Sequence, residues 1–247
     1  MQDVSNLKTG VRDDIDILAA KYINGVYVQM MLGVMVTALV GYALLATGAM
    51  YTVVTAGGQA FGWGVFAAQF GTLLMFRPMM QRASGTAVRG LFAFYAALTG
   101  VTVGYAGLIF TAASILNVFF MAALAFGGLA AFGHVTKRNL GVIGTFCIQA
   151  LMMLFGFSLL FAVAGMFPAA APYLPAMNIT LGLVGILVFS GLTAYESQKL
   201  RTTALSLASR DADGRAIALY TSHGALMMYL NFINLFFSLL RLFGRRR

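Results

Sequence analysis

Apolar residues run along this chain in long blocks that polar positions hardly interrupt, and each block ends where charge appears. Residues 22–76, 90–136, 139–195 and 216–240 contain no Asp, Glu, Lys or Arg. A helix needs about 20 apolar residues to cross a bilayer. Each of the first three blocks therefore holds two crossings joined by a short turn, and the fourth holds one. The expected spans are 26–49, 53–76, 90–110, 112–133, 140–164, 176–196 and 217–242. They predict an all-α membrane protein, a bundle of seven transmembrane helices, because the strands of a membrane barrel are too short for blocks of this length.

Composition agrees. Of the 247 residues, 60% are hydrophobic and 9% charged, where a soluble domain carries roughly a quarter charged residues. So large an apolar excess needs lipid as its solvent. The single cysteine, Cys147, lies inside an uncharged block and is expected to pack in the core.

The charges orient the chain. The expected turns near 50, 111 and 166–175 hold no Lys or Arg, whereas the N-terminal tail and the loops at 77–89, 134–139 and 197–216 do. Basic residues concentrate on the cytoplasmic side, which places the N-terminus and these loops there. Arg245–Arg247 conflict with that rule if 217–242 crosses, and agree with it if this segment is re-entrant. Crossing is favoured, since the segment has no proline and only Gly224 as an internal glycine. The net charge of +9 follows from this topology and does not call for a nucleic-acid partner.

The chain divides into a tail over 1–25, a transmembrane domain over 26–242 and a basic end over 243–247. In the tail, Ile15, Leu18 and Tyr22 share a helical face opposite Asp13, Asp14 and Asp16, which suits an interfacial helix as well as a solvated tail. No signal peptide is expected. Gly100 with Gly104, Gly58 with Gly62, and Gly127 with Ala131 have the spacing that lets helix backbones approach.

An enzyme is not expected. The chain lacks His-Glu-x-x-His, a Gly-x-Ser-x-Gly elbow, a Walker loop and any Cys/His cluster with metal spacing, and no cofactor or metal site is expected. Gly62-Trp63-Gly64 falls short of a dinucleotide fingerprint, and Asp211-x-Asp213-Gly214 falls short of a calcium loop. The informative segment is the last span, where Tyr220, His223, Met227, Asn231, Asn234, Ser238 and Arg241 follow at steps of three or four. Such a polar stripe is costly against lipid, so it either bonds neighbouring helices or lines a wet cavity. Glu196 is the only acidic residue between Asp16 and Asp211. Facing a cavity near Arg77 or Lys199, it would act as a protonation-dependent latch; facing water, it is an ordinary helix-end glutamate.

Four segments in order, Tyr105–Ser114, His134–Gly141, Thr193–Lys199 and Tyr229–Phe236 with Leu239–Gly244, resemble the Bax inhibitor-1 family, best its bacterial inner-membrane branch. The resemblance implies a seven-helix bundle with the last helix central. It also implies a pH-sensitive calcium leak tied to two aspartates, one ending the sixth helix and one in the seventh, with an arginine of the second helix as partner to one of them. Those acidic positions map to Glu196 and Asn231, and Arg77 is the candidate basic partner; Asn234 and His223 complete the expected pathway. Because Asn231 cannot ionise, the coupling of two carboxylates is absent and pH gating should be weakened. The alternative implied is a regulator without transport that binds a membrane-bound AAA protease or another membrane protein.

Overall fold

The computed structural model describes residues 2–209 and 213–247, with side chains from Asp16 onward. Among the described residues the chain forms seven α-helices and one 3-10 turn, with no strand beyond an isolated antiparallel bridge between Phe110 and Arg246. The helices are α1 (Gln2–Ala46), α2 (Ala49–Arg82), α3 (Gly85–Ile109), α4 (Ala112–Val135), α5 (Gly141–Ala164), α6 (Leu174–Ser209) and α7 (Gly214–Phe243). The 3-10 turn, Pro168–Tyr173, precedes α6.

Six of these helices are long and apolar enough to cross a membrane, and α2 is not among them. Gln59, Gln69 and five glycines (Gly57, Gly58, Gly62, Gly64, Gly71) dilute its apolar run. At Gly58 the helix breaks, with φ 53° and ψ −138°, a backbone region open to glycine almost alone.

The connections are shorter than the charge pattern suggested. The loop expected at 77–89 shrinks to Ala83–Ser84, and most of 197–216 is helix, since α6 runs to Ser209 and α7 starts at Gly214. Charge marks the edge of lipid, not the end of a helix, because a helix that leaves the bilayer still satisfies its own backbone. The tail behaves likewise: α1 is one continuous helix of 45 residues, about 68 Å long at 1.5 Å per residue. Of the face expected to lie on an interface, Tyr22 is buried, Leu18 is exposed, and the side chain of Ile15 lies outside the described residues.

The chain folds into two compact units, one of residues up to Ile109 with Leu200–Tyr229, the other of Phe110–Lys199 with Leu230–Arg247. In the first, α1 and α3 pack along their length. A Cβ on Gly41 would lie 3.0 Å from the carbonyl of Gly100, and one on Gly100 would lie 2.8 Å from that of Thr37. Gly33 sits against Phe92 and Gly41 against Gly100 and Gly104. Both residue numbers rise together, so the two helices are parallel and α2 returns between them. Gly224 of α7 is covered by Leu200, Val26 and Tyr22, which explains the one internal glycine of that span.

In the second unit, α4 and α6 touch where Gly133 faces the backbone of Ala194, and α5 meets α6 where Gly144 faces the Tyr195 ring. Cys147 is buried with its Sγ against Gly191. Phe119, Phe126 and Phe232 stack edge to face at 5.6 Å, an arrangement that adds to plain burial. Of the expected close-packing pairs, Gly100 and Gly104 do pack closely; Gly58, Gly62 and Gly127 have nothing within 4 Å of an added Cβ.

The C-terminal tail is tied by backbone. Thr111 N–H donates to the Arg245 carbonyl at 3.0 Å, and Arg245 N–H donates to Ser114 Oγ at 2.8 Å. The tail thus meets the start of α4, while Lys137 and Arg138 follow its end, a full helix away. Helix α7 is unbroken from Gly214 to Phe243.

Candidate functional site

The run Thr193–Lys199 lies on the buried half of α6, and nearly every polar side chain in it has a defined partner. Thr193 Oγ1 donates to the Phe189 carbonyl at 2.7 Å, back along its own helix. Ser197, fully buried, donates from Oγ to the Ala130 carbonyl of α4 at 2.6 Å. Gln198 clasps the α4–α5 connection: its Oε1 accepts from Leu140 N–H at 2.9 Å and its Nε2 donates to the Arg138 carbonyl at 2.8 Å. These bonds fix the rotation of α6 about its axis, and with it the direction of the intervening Glu196.

Glu196 is mostly covered, with its side chain 13% exposed, and Lys199 Nζ lies 3.2 Å from its Oε1. The ammonium also sits 5.8 Å from the centroid of the Tyr195 ring, a cation–π distance. Of the two cations expected near Glu196, Lys199 is the one that pairs with it in this unit. Arg77 belongs to the first unit, next to Pro78 near the end of α2, where it is exposed.

The stripe on α7 divides in two. This helix is buried on almost all sides: 61% of its most apolar stretch is covered, against 6% for α5. Between Tyr220 and Arg241 its less covered positions are Tyr220, His223, Met227, Leu230, Asn234, Phe237 and Arg241, again at steps of three and four. Asn231 and Ser238 turn inward, and Leu230 and Phe237 take their places on the open side. Asn234 Nδ2 donates to the Leu230 carbonyl at 2.8 Å, and Ser238 Oγ donates to the Asn234 carbonyl at 2.7 Å. Both satisfy themselves along α7 and do not bridge helices through these bonds.

Asn231 differs. It is 6% exposed, and its Nδ2 is the buried side-chain nitrogen that has no hydrogen-bond partner among the described residues. A buried N–H donor without a partner carries a desolvation cost of about 1–3 kcal/mol, and such a group calls for a specific cause, such as a functional role or an ordered water. His223 is half-buried in the first unit. Among the described residues no three His, Cys, Asp or Glu gather as a metal cage, so a cation passing Glu196 and Asn231 would meet one carboxylate and amide or carbonyl oxygens.

The other polar groups of α7 form a set that the polar stripe did not reveal. Tyr229, fully buried, shares a 2.6 Å hydrogen bond with Thr37. Ser222, also fully buried, bonds Gln29 at 3.2 Å. These lie one or two residues off the stripe, where an isolated Tyr or Ser reads as ordinary core. Of the partial calcium-loop pattern, Asp211 lies outside the described residues, and Asp213 caps α7 by accepting from Ala216 N–H at 2.7 Å.

Residues 19–247 match the family described as Inhibitor of apoptosis-promoting Bax1. The chain is 34% identical over 227 residues to Inner membrane protein YbhL of Escherichia coli strain K12, covering 92% of each. An uncharacterized protein of Caulobacter vibrioides is 31% identical, over 94% of this chain and 92% of its own. Uncharacterized protein RP147 of Rickettsia prowazekii is 30% identical, over 92% and 90%.

Proposed function

Because this chain belongs to the Bax inhibitor-1 family of multi-pass inner-membrane proteins, we propose that it is a passive cation leak, with calcium as the candidate ion and with weakened pH gating. The carrying observation is Glu196, a mostly covered carboxylate held by Lys199 on a helix whose rotation Ser197 and Gln198 fix. A lone acid in such a place attracts a cation and changes its attraction when it takes up a proton. Asn231, buried in the same unit with an unpartnered Nδ2, supplies an amide at the position where the family resemblance implies a second carboxylate. Without like-charge coupling the response to pH is shallower than that of a two-carboxylate site.

The same reading has the chain crossing seven times with its N-terminus in the cytoplasm and α7 at the centre. The parallel packing of α1 and α3 supports the seventh crossing, since a chain that runs the same way twice must come back through α2. The burial of α7 supports its central place.

The test is calcium entry into proteoliposomes. Wild-type protein should admit calcium above empty vesicles and Glu196→Gln should abolish the excess. No wild-type flux above empty vesicles overturns the leak, and a co-purifying membrane-bound AAA protease would then support a regulator.

A further inference from the structure

Where α2 ends and α3 and α7 begin in the first unit, an open cavity of about 450 Å³ is lined by Arg82, Ser84, Thr86, Arg89 and Arg215. No carboxylate lines it among the described residues, and the nearby Asp213 is engaged in capping α7. The walls are held in place. Arg215 Nη2 donates to the Ala83 carbonyl at 3.3 Å, and a Cβ on Gly85 would lie 3.0 Å from that of Ala218, so α7 sits close against the α2–α3 turn. Gly85 and Thr86 open the 25-residue helix α3, and their N–H groups have no acceptor within the helix. Three guanidinium groups, hydroxyls and a helix start together are a binding surface for a phosphate.

A second cavity, of about 290 Å³, adjoins the first. It shares Arg82 and Ala83 and is otherwise lined by Met75, Pro78 and Met79. Thioether and ring walls take hydrocarbon, and a free phosphate would leave this compartment without a counterpart. The first cavity lies where the membrane-length helices α3 and α7 begin, and the second runs from it along the last turns of α2, an arrangement that suits a phosphate at one end and an acyl chain at the other.

We propose that the two cavities are one site for an acidic phospholipid, its phosphate held by Arg82, Arg89 and Arg215 and one acyl chain lying along Met75 and Met79. The site does not depend on whether the chain conducts ions.

Native mass spectrometry of the full-length protein released from detergent, with dioleoylphosphatidylglycerol or dioleoylphosphatidylcholine added, tests it. One phosphatidylglycerol should be retained in preference to phosphatidylcholine, with about a fivefold loss of that preference for each arginine changed among Arg82→Gln, Arg89→Gln and Arg215→Gln. Lys137→Gln, an exposed charge in the other unit, should leave it intact. Met75→Gln with Met79→Gln should weaken lipid retention while the arginines remain. The single Arg89→Gln variant serves if the triple variant does not fold. Undiminished preference in the arginine variants, or an equal loss in Lys137→Gln, overturns the site. Displacement of the lipid by millimolar inorganic phosphate overturns the lipid assignment in favour of a soluble anion.

Discussion

The hydroxyl oxygens of Thr37 and Tyr229 lie 2.6 Å apart in the buried interior of the first unit. Thr37 Oγ1 is also within bonding distance of the carbonyls of Gly33 (3.0 Å) and Ala96 (2.9 Å), so its one proton goes to a carbonyl and Tyr229 is the donor to Thr37. Tyr229→Phe removes that bond but leaves Thr37 satisfied. The expected cost is about 0.6–1 kcal/mol. Tyr229→Ala also strips the ring from its edge-to-face contacts with Phe92 at 5.4 Å and Tyr95 at 6.1 Å, and should cost about 3–5 kcal/mol. Thermal melting in detergent, followed by circular dichroism, checks the ratio; equal losses for the two variants would place the energy in the hydroxyl alone.

Gly133→Ala should be among the most damaging single-methyl changes in the chain. The new Cβ would run into the backbone of Ala194, which cannot swing aside as a side chain can. Gly127→Ala meets nothing within 4 Å and, by removing a glycine from a helix interior, should be neutral or stabilising by up to about 1 kcal/mol. The yield of monodisperse protein and the melting temperature of the pair decide this.

If the chain conducts as proposed, Asn231 separates stability from transport. Replacing a buried amide whose Nδ2 lacks a partner by Leu should leave the melting temperature unchanged or higher, while calcium flux falls. A marked loss of stability in Asn231→Leu would mean that the amide is bonded, for instance to an ordered water. Asn231→Asp installs the second carboxylate, and flux should then vary more steeply with pH; an unchanged curve in a folded protein would remove the pair from the gate.

The break in α2 rests on one residue. Gly58 adopts φ 53° and ψ −138° with open space where a Cβ would go, so the penalty of Gly58→Ala is conformational and should be about 1–3 kcal/mol. Should Gly58→Ala melt with the wild type, the break is not needed for folding.

Labelling checks the tail. Single cysteines placed at 111 and at 245, in a Cys147→Ser background, should react with a membrane-impermeant maleimide from the same side, and one at 138 from the other. Reaction of 138 and 245 from one side would contradict the bonds between Thr111, Ser114 and Arg245.

The helices could be read from the sequence because lipid excludes charge so strongly that each block without charge had to hold membrane-length helix. Their ends could not be, since α2 continues past Arg77 to Arg82 and α6 past Lys199 to Ser209: once outside the apolar layer, a charged residue is as good a helix former as any. The same limit applies at the site. Glu196 stood out as a lone acid, but the roles of Ser197 and Gln198 depend on where α4 and its following loop lie, which no local pattern encodes. Asn231 and Asn234, three apart, looked equivalent along the stripe. On a helix covered nearly all round, the apolar neighbours Leu230 and Phe237 give no sign that they would take the open side, so which asparagine turns inward was not legible.

Gln198 spends both ends of its amide on two consecutive stretches of main chain, around Arg138 and Leu140. That makes the short connection between α4 and α5 a fixed corner, and an epitope or protease site spliced into it would pull one end of the amide free. Among the described residues, the turn at Thr47–Gly48 bonds only to positions close in sequence, Ala43, Leu45, Ala49 and Thr52, so foreign sequence belongs there.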